Sequence, residues 1–124
     1  MSEAEELLDK ARIRLEEAKA LFEADLFEGA VGRAYYAAYS AARSMLTTDG
    51  IRAKTHAGVI RQFGKAYLMA GVVDAPVGRA LAQLHSKREL ADYGKGAAIS
   101  RAEAAQAIGL AEKLFAVAKS HLAT

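Results

Sequence analysis

At 124 residues the chain has room for one shared core and too little length for separate catalytic and binding lobes, so a single domain spanning 1–124 is expected. Hydrophobic residues at 52% and charged residues at 26% exclude a disordered chain. The net charge of +2 is unevenly spread: residues 1–28 carry nine acids against four bases, a net of −5, while residues 29–124 carry thirteen bases against six acids, a net of +7. Only the later part can attract an anion, and it does so without the dense Lys/Arg footprint of a duplex-DNA binder.

The first element starts at Ser2, with Glu5 three residues on, a capping box in which each side chain satisfies the other's backbone N–H. Ala4, Leu8, Ala11, Leu15, Ala18 and Phe22 follow in steps of four and three, one stripe of a helix. Asp25 with Glu28 reads as a second capping box, so a very short link and an antiparallel helical hairpin are expected.

The next element, from about Phe27 to Thr47, is apolar or small almost all round and reads as the central helix, stopped by Asp49-Gly50. After a loop through Lys54, a third helix from about His56 to Ala70 buries Val59, Ile60, Phe63 and Tyr67 and ends at Gly71. Asp74 caps a fourth helix whose first turn accommodates Pro76 and whose inward residues are Val77, Leu81, Leu84 and Ala91. The loop Tyr93-Gly94-Lys95-Gly96 leads to a third capping box, Ser100 with Glu103, and a last helix with Ala104, Ile108, Ala111, Phe115, Ala118 and Leu122 inward. A second stripe on that helix, Ala107, Leu110, Leu114 and Val117, suggests a homodimer built on helix faces. No run alternates as a half-buried strand would. The fold class is therefore all-α: an antiparallel up-and-down helix bundle of four long helices plus one short helix.

No run approaches the roughly 18 apolar residues of a membrane span, and the acidic start differs from a basic signal peptide, so a cytoplasmic protein without membrane association is expected. With no cysteine, and with His56, His85 and His121 far apart, neither a metal nor a cofactor is expected. Generic phosphate-loop, nucleophile-elbow and dinucleotide motifs are absent. Three clusters mix polar groups with aromatics: Arg33-Ala34-Tyr35-Tyr36, Lys54-Thr55-His56, and Arg88 through Asp92 to Tyr93.

GRAYYAAYSAARSML, then KTHAGVIRQFGK, then KRELADY, in that order, resemble the HEPN domains, in particular their small stand-alone prokaryotic branch. The resemblance covers nearly the whole chain. It implies a four- to five-helix bundle, commonly a homodimer, often beside a minimal nucleotidyltransferase as partner in toxin–antitoxin or stress systems. In several branches the dimer is a metal-independent ribonuclease whose catalytic pair is an Arg and a His some four to six residues apart. Here the positions after Arg88 that would hold the histidine carry Tyr93, Gly94 and Lys95. A phenol, with a usual pKa of ~10 against ~6.5 for imidazole, is a poor base at neutral pH.

The preferred reading is accordingly a binding module, more a binder than an enzyme, that holds a nucleotide or RNA phosphate. Its ligand-binding residues are Arg33, Tyr36, Lys54, His56, Arg88, Asp92 and Tyr93, with Asp92 orienting Arg33 or Arg88. The alternatives are an endoribonuclease in which Arg88 stabilises the phosphorane-like charge and His85 or His56 moves the proton, and a pure protein-interaction module.

Overall fold

The computed structural model describes residues 1–93 and 98–124; the side chain of Tyr93, and the loop expected after it, lie outside the described residues. Helix α1, Glu3–Glu23, opens on the expected capping box: Ser2 Oγ accepts from the Glu5 N–H at 3.1 Å, and Glu5 Oε1 accepts from the Ser2 N–H at 3.1 Å. Its innermost residues are Ala4, Leu7, Ala11, Leu15 and Ala18, so Leu7 rather than Leu8 takes the deepest position of that turn, with Leu8 half-buried.

The expected second capping box is not formed. Asp25 adopts a left-handed backbone, φ 61°, and closes α1: its N–H bonds the Phe22 carbonyl at 3.0 Å while the Leu26 N–H bonds that of Leu21 at 2.9 Å. That arrangement satisfies the last carbonyls of α1. It also denies Asp25 the extended backbone an N-cap needs, and the following helix is headed by Leu26 without a side-chain cap. The link is short all the same, and α1 pairs with α2 as a hairpin.

Helix α2, Phe27–Thr48, is the central one, packed against α1, α4, α5 and the shorter α3. Ala34, Ala37, Ala38, Ala41 and Ala42 are fully buried, and small side chains there let four neighbours approach one backbone. The helix ends as expected, with Gly50 at φ 73° and the Ile51 N–H returning to the Leu46 carbonyl at 2.9 Å.

Helix α3, His56–Phe63, is capped by Thr55, whose Oγ1 accepts from the Gly58 N–H at 2.9 Å. It is shorter than anticipated. Gly64–Leu68 forms a π-helical turn in which the Met69 N–H reaches five residues back to the Gly64 carbonyl at 2.8 Å. Val59, Phe63 and Tyr67 are buried and Ile60 is half-buried. Helix α4, Ala75–Tyr93, begins with Asp74 Oδ1 accepting from the Val77 N–H at 3.1 Å and Pro76 in the first turn. Gly78 lies so close to the π-helical turn that a Cβ there would stand 2.5 Å from Leu68 Cδ1.

Helix α5, Arg101–Ala123, has the expected Ser100–Glu103 capping box and packs across α1, α2 and α4. Ala107 and Leu114, half of the stripe that suggested a dimer, are fully buried within one chain, and Leu110 and Val117 pack partly against the same core. That stripe is thus largely used by the chain's own bundle. Among the described residues there is no strand, and no helix is long and apolar enough to cross a membrane. The architecture is an all-α helix bundle.

Candidate functional site

Along α2, Tyr36, Tyr39 and Arg43 are spaced three and four apart and share one face. Tyr35, beside that face, is fully buried. The start of α3 brings His56 to the tyrosines: its ring stacks on Tyr39 with centroids 4.3 Å apart and planes at 13°, and meets Tyr36 edge-on at 6.0 Å. From α4, His85 meets the Tyr35 ring at 5.4 Å, and the Arg88 guanidinium lies over Tyr36 at 5.0 Å and Tyr35 at 5.7 Å. Three helices that are distant in sequence thus deliver two imidazoles, a guanidinium and three phenols to one place.

Arg88, His85, Tyr35 and His56 each have a partner. Arg88 Nε lies 3.3 Å from Asp92 Oδ2, with the Arg88 side chain only 22% exposed. His85 Nε2 lies 3.5 Å from Glu89 Oε1. Tyr35 Oη and His56 Nδ1 are 2.6 Å apart. Burial, followed by the nearby Tyr39, pushes the Tyr35 phenol well above its ordinary range, so it keeps its proton at any physiological pH. Burial, then the positive charge of Arg88 and then His85, lowers the His56 pKa and favours the neutral ring. A protonated phenol whose one hydrogen-bond partner among the described residues is Nδ1 must donate to it. The neutral imidazole then carries its own proton on Nε2, the nitrogen with no protein partner among the described residues.

The expected residues fall into three groups. Tyr36, His56, Arg88 and Asp92 are brought together, and His85 joins them. Arg33 is turned elsewhere: the anticipated pairing with Asp92 is not made, because Arg33 Nε lies 3.7 Å from Glu17 of α1 while Asp92 is taken by Arg88 on its own helix. Lys54 lines a half-open cavity of about 360 Å3 together with Arg43 and Arg52, beyond Tyr39. Tyr93 is the expected site residue whose side chain lies outside the described residues.

Tyr35, Tyr39 and Arg43 take part in the cluster but were not among the expected site residues. Tyr35 is a core residue, yet it also fixes the proton of His56; nothing in its neighbours along the chain signals a partner 21 residues away. Arg43 did carry a signal, the spacing of seven that puts it on the Tyr36 face.

A second polar constellation lies at the ends of α2 and α5. Asp49 accepts from the buried Tyr67 hydroxyl at 2.6 Å and pairs with His121 Nε2 at 2.9 Å. His121 thus joins α5 to α2 and to the π-helical turn. Among the described residues no group of three or more His, Asp or Glu side chains is arranged to hold a metal ion.

Comparison with known proteins gives this cluster its context. Residues 4–121 match the HEPN domain, and the chain belongs to the HEPN family. It is 38% identical over 91 residues to Putative toxin MJ0605 of Methanocaldococcus jannaschii, covering 73% of this chain and 68% of that one. It is 29% identical over 102 residues to Putative toxin MJ0142 of the same organism, covering 82% of this chain and 69% of the other. The UPF0332 protein glr0978 of Gloeobacter violaceus is 35% identical over 92 residues, 74% of this chain and 73% of that protein.

Proposed function

We propose that this chain is an RNA-binding HEPN domain of the toxin type, in which Arg88, His56 and Tyr36 hold one nucleotide of single-stranded RNA. The observation that carries the reading is the pairing of two donors prepared for a phosphate. Arg88 is oriented by Asp92 over the Tyr36 ring, and His56 is held by Tyr35 as a neutral ring with its proton on Nε2. A guanidinium supplies charge and a fork of N–H donors, the imidazole adds a directed neutral donor, and half-buried Tyr36 offers a face for a base at ~1 to 3 kcal/mol. The toxin names of the two Methanocaldococcus jannaschii relatives support a place in a toxin–antitoxin-like system, and the minimal nucleotidyltransferase implied by the family resemblance is the partner we assign.

The test is fluorescence anisotropy with a labelled oligouridylate. Arg88→Ala, which removes a charge-assisted phosphate contact of ~1.5 to 3 kcal/mol, lowers affinity by about tenfold or more. Binding by Arg88→Ala equal to that of the parent, or no binding by the parent, refutes the reading.

One observation favours a second reading, RNA cleavage: two imidazoles, His56 and His85, both lie against Tyr35 beside Arg88. Attack by a 2′-hydroxyl needs a proton taken from it and one given to the leaving 5′-oxygen. Neutral His56, with Nδ1 filled by Tyr35, offers a hydrogen bond from Nε2 to the phosphorane-like oxygens beside Arg88, and His85 takes the 2′-hydroxyl proton and, as the imidazolium, returns it to the leaving 5′-oxygen. Cleavage by the parent that disappears in both His56→Ala and His85→Ala establishes this reading; an intact oligomer after long incubation dismisses it.

A further inference from the structure

Beyond the Arg88 cluster, the half-open cavity at the end of α2 is walled by Arg43, Arg52 and Lys54 against a single carboxylate, Glu3. No carboxylate among the described residues lies within ion-pair distance of any of the three cations, so their charges are not neutralised within the chain. The negative end of the α2 dipole opposes an anion here by about half a charge, well short of the net two positive charges on the wall.

The cavity is linked to the site already described through Arg43. Arg43 lies over the Tyr39 ring at 5.9 Å, Tyr39 stacks on His56, and His56 meets Tyr36, which lies under Arg88. Cations therefore stand at both ends of a row of aromatic rings. From Tyr36 to Arg43 is seven residues of helix, about 10 Å along its axis. A single phosphate group at Arg88 cannot reach the far end, whereas a strand whose backbone runs along this face of α2 reaches both. Cations interleaved with half-buried aromatic rings are a pattern that sequence-tolerant single-strand binding uses.

We infer that the Arg43–Arg52–Lys54 cavity is a second phosphate subsite, which takes the backbone of the same RNA strand one or more nucleotides away from Arg88. This rests on the RNA-binding reading above and adds to it a direction for the strand: from α4, along the Tyr36–Tyr39 face of α2, to the loop before α3.

The experiment compares a 2′-O-methyl oligouridylate, which has no free 2′-hydroxyl for self-cleavage, with uridine monophosphate and with ATP across a salt series. Arg52 and Lys54 lie exposed in the loop before α3, so the Arg52→Gln/Lys54→Gln variant keeps the fold, checked by its helical circular dichroism. It is expected to bind the oligomer about tenfold more weakly at low salt, and its slope of log affinity against log salt drops by about 1.4, two single-strand phosphate contacts at ~0.7 each. Uridine monophosphate binding changes less than twofold. Unchanged oligomer affinity and slope, while Arg88→Ala still abolishes binding, overturn the subsite and leave the RNA-binding reading standing. An effect confined to ATP also overturns it, by making the cavity a site for a free nucleotide. Oligomer binding lost in Arg52→Gln/Lys54→Gln but kept in Arg88→Ala sinks the RNA-binding reading at Arg88 instead.

Discussion

Tyr35→Phe removes one oxygen atom from a fully buried ring and nothing else. The ring's contacts with Tyr36, Tyr39, His85 and Arg88 remain, so no cavity larger than a hydroxyl is made. What disappears is the 2.6 Å bond to His56 Nδ1. A hydrogen bond of this kind contributes about 0.5 to 1.5 kcal/mol net. His56 is only half-buried, so water can reach part of its edge, and a stability loss near ~1 kcal/mol is expected. The more telling effect is chemical. Without the phenol, nothing holds the imidazole proton on Nε2, and the two neutral tautomers become comparable in energy. Long-range 15N–1H spectra of the imidazole distinguish the tautomers directly, and urea unfolding reports the stability. If the His56 proton is the donor to phosphate, oligouridylate binding weakens in step, by about 2- to 13-fold for the loss of one such bond. A variant that unfolds at the parent's urea concentration and shows an unchanged nitrogen spectrum would refute the assignment of the proton, and with it the role given to His56.

Four further outcomes are expected. Arg88→Ala lowers stability by about 1 to 2 kcal/mol in urea unfolding, more than a fully exposed helical ion pair, because the guanidinium covers two tyrosine rings as well as pairing with Asp92. Asp49→Ala lowers it by ~2 to 4 kcal/mol by thermal or urea melting, since a buried Tyr67 hydroxyl loses its acceptor and His121 loses its hydrogen-bond partner; a cost below ~1 kcal/mol contradicts the hub role of Asp49. Because the fold lowers the His56 pKa from its ordinary 6.5, the unfolded chain takes up that proton first on acidification. The contribution is complete above about pH 6.5 and is lost as the pH falls toward the lower folded value, so unfolding measured at several pH values shows a decline that His56→Gln flattens. Gly78→Ala forces a methyl group to within 2.7 Å of Leu68 Cβ and costs about 1 to 3 kcal/mol in melting experiments.

The helices were legible because their signals are local. Ser2 with Glu5 and Ser100 with Glu103 each bond across three residues, and the spacings that bury Ala11, Leu15 and Ala18 are set within one element. Asp25 misled because an N-cap and a left-handed C-terminal residue draw on the same small polar side chains, and the backbone that finishes α1 decided between them. The site was legible only as pieces. Arg88 and Asp92 are one turn apart, a spacing that allows an ion pair within one helix, whereas the choice between Arg88 and Arg33 as the partner of Asp92 is settled by tertiary packing, which puts Arg33 beside Glu17. The contact between Tyr35 and His56 depends on how α3 lies against α2, which no local pattern encodes.

The π-helical turn sets the rotational phase of Tyr67 at the end of its helix. Each residue of a regular helix advances the chain by about 100°, and a five-residue closure holds one residue more than an α-turn does. Deleting a single residue within 64–68 would let ordinary bonding resume and swing Tyr67 by roughly that angle, away from Asp49. The extra residue thus allows one continuous stretch of backbone to serve two appointments, His56 with the tyrosines of α2 at its beginning and Tyr67 with Asp49 at its end. A length change here, of a kind that an exposed loop absorbs without harm, would break the link among α2, α5 and the turn while leaving every side chain of the Arg88 cluster in the chain.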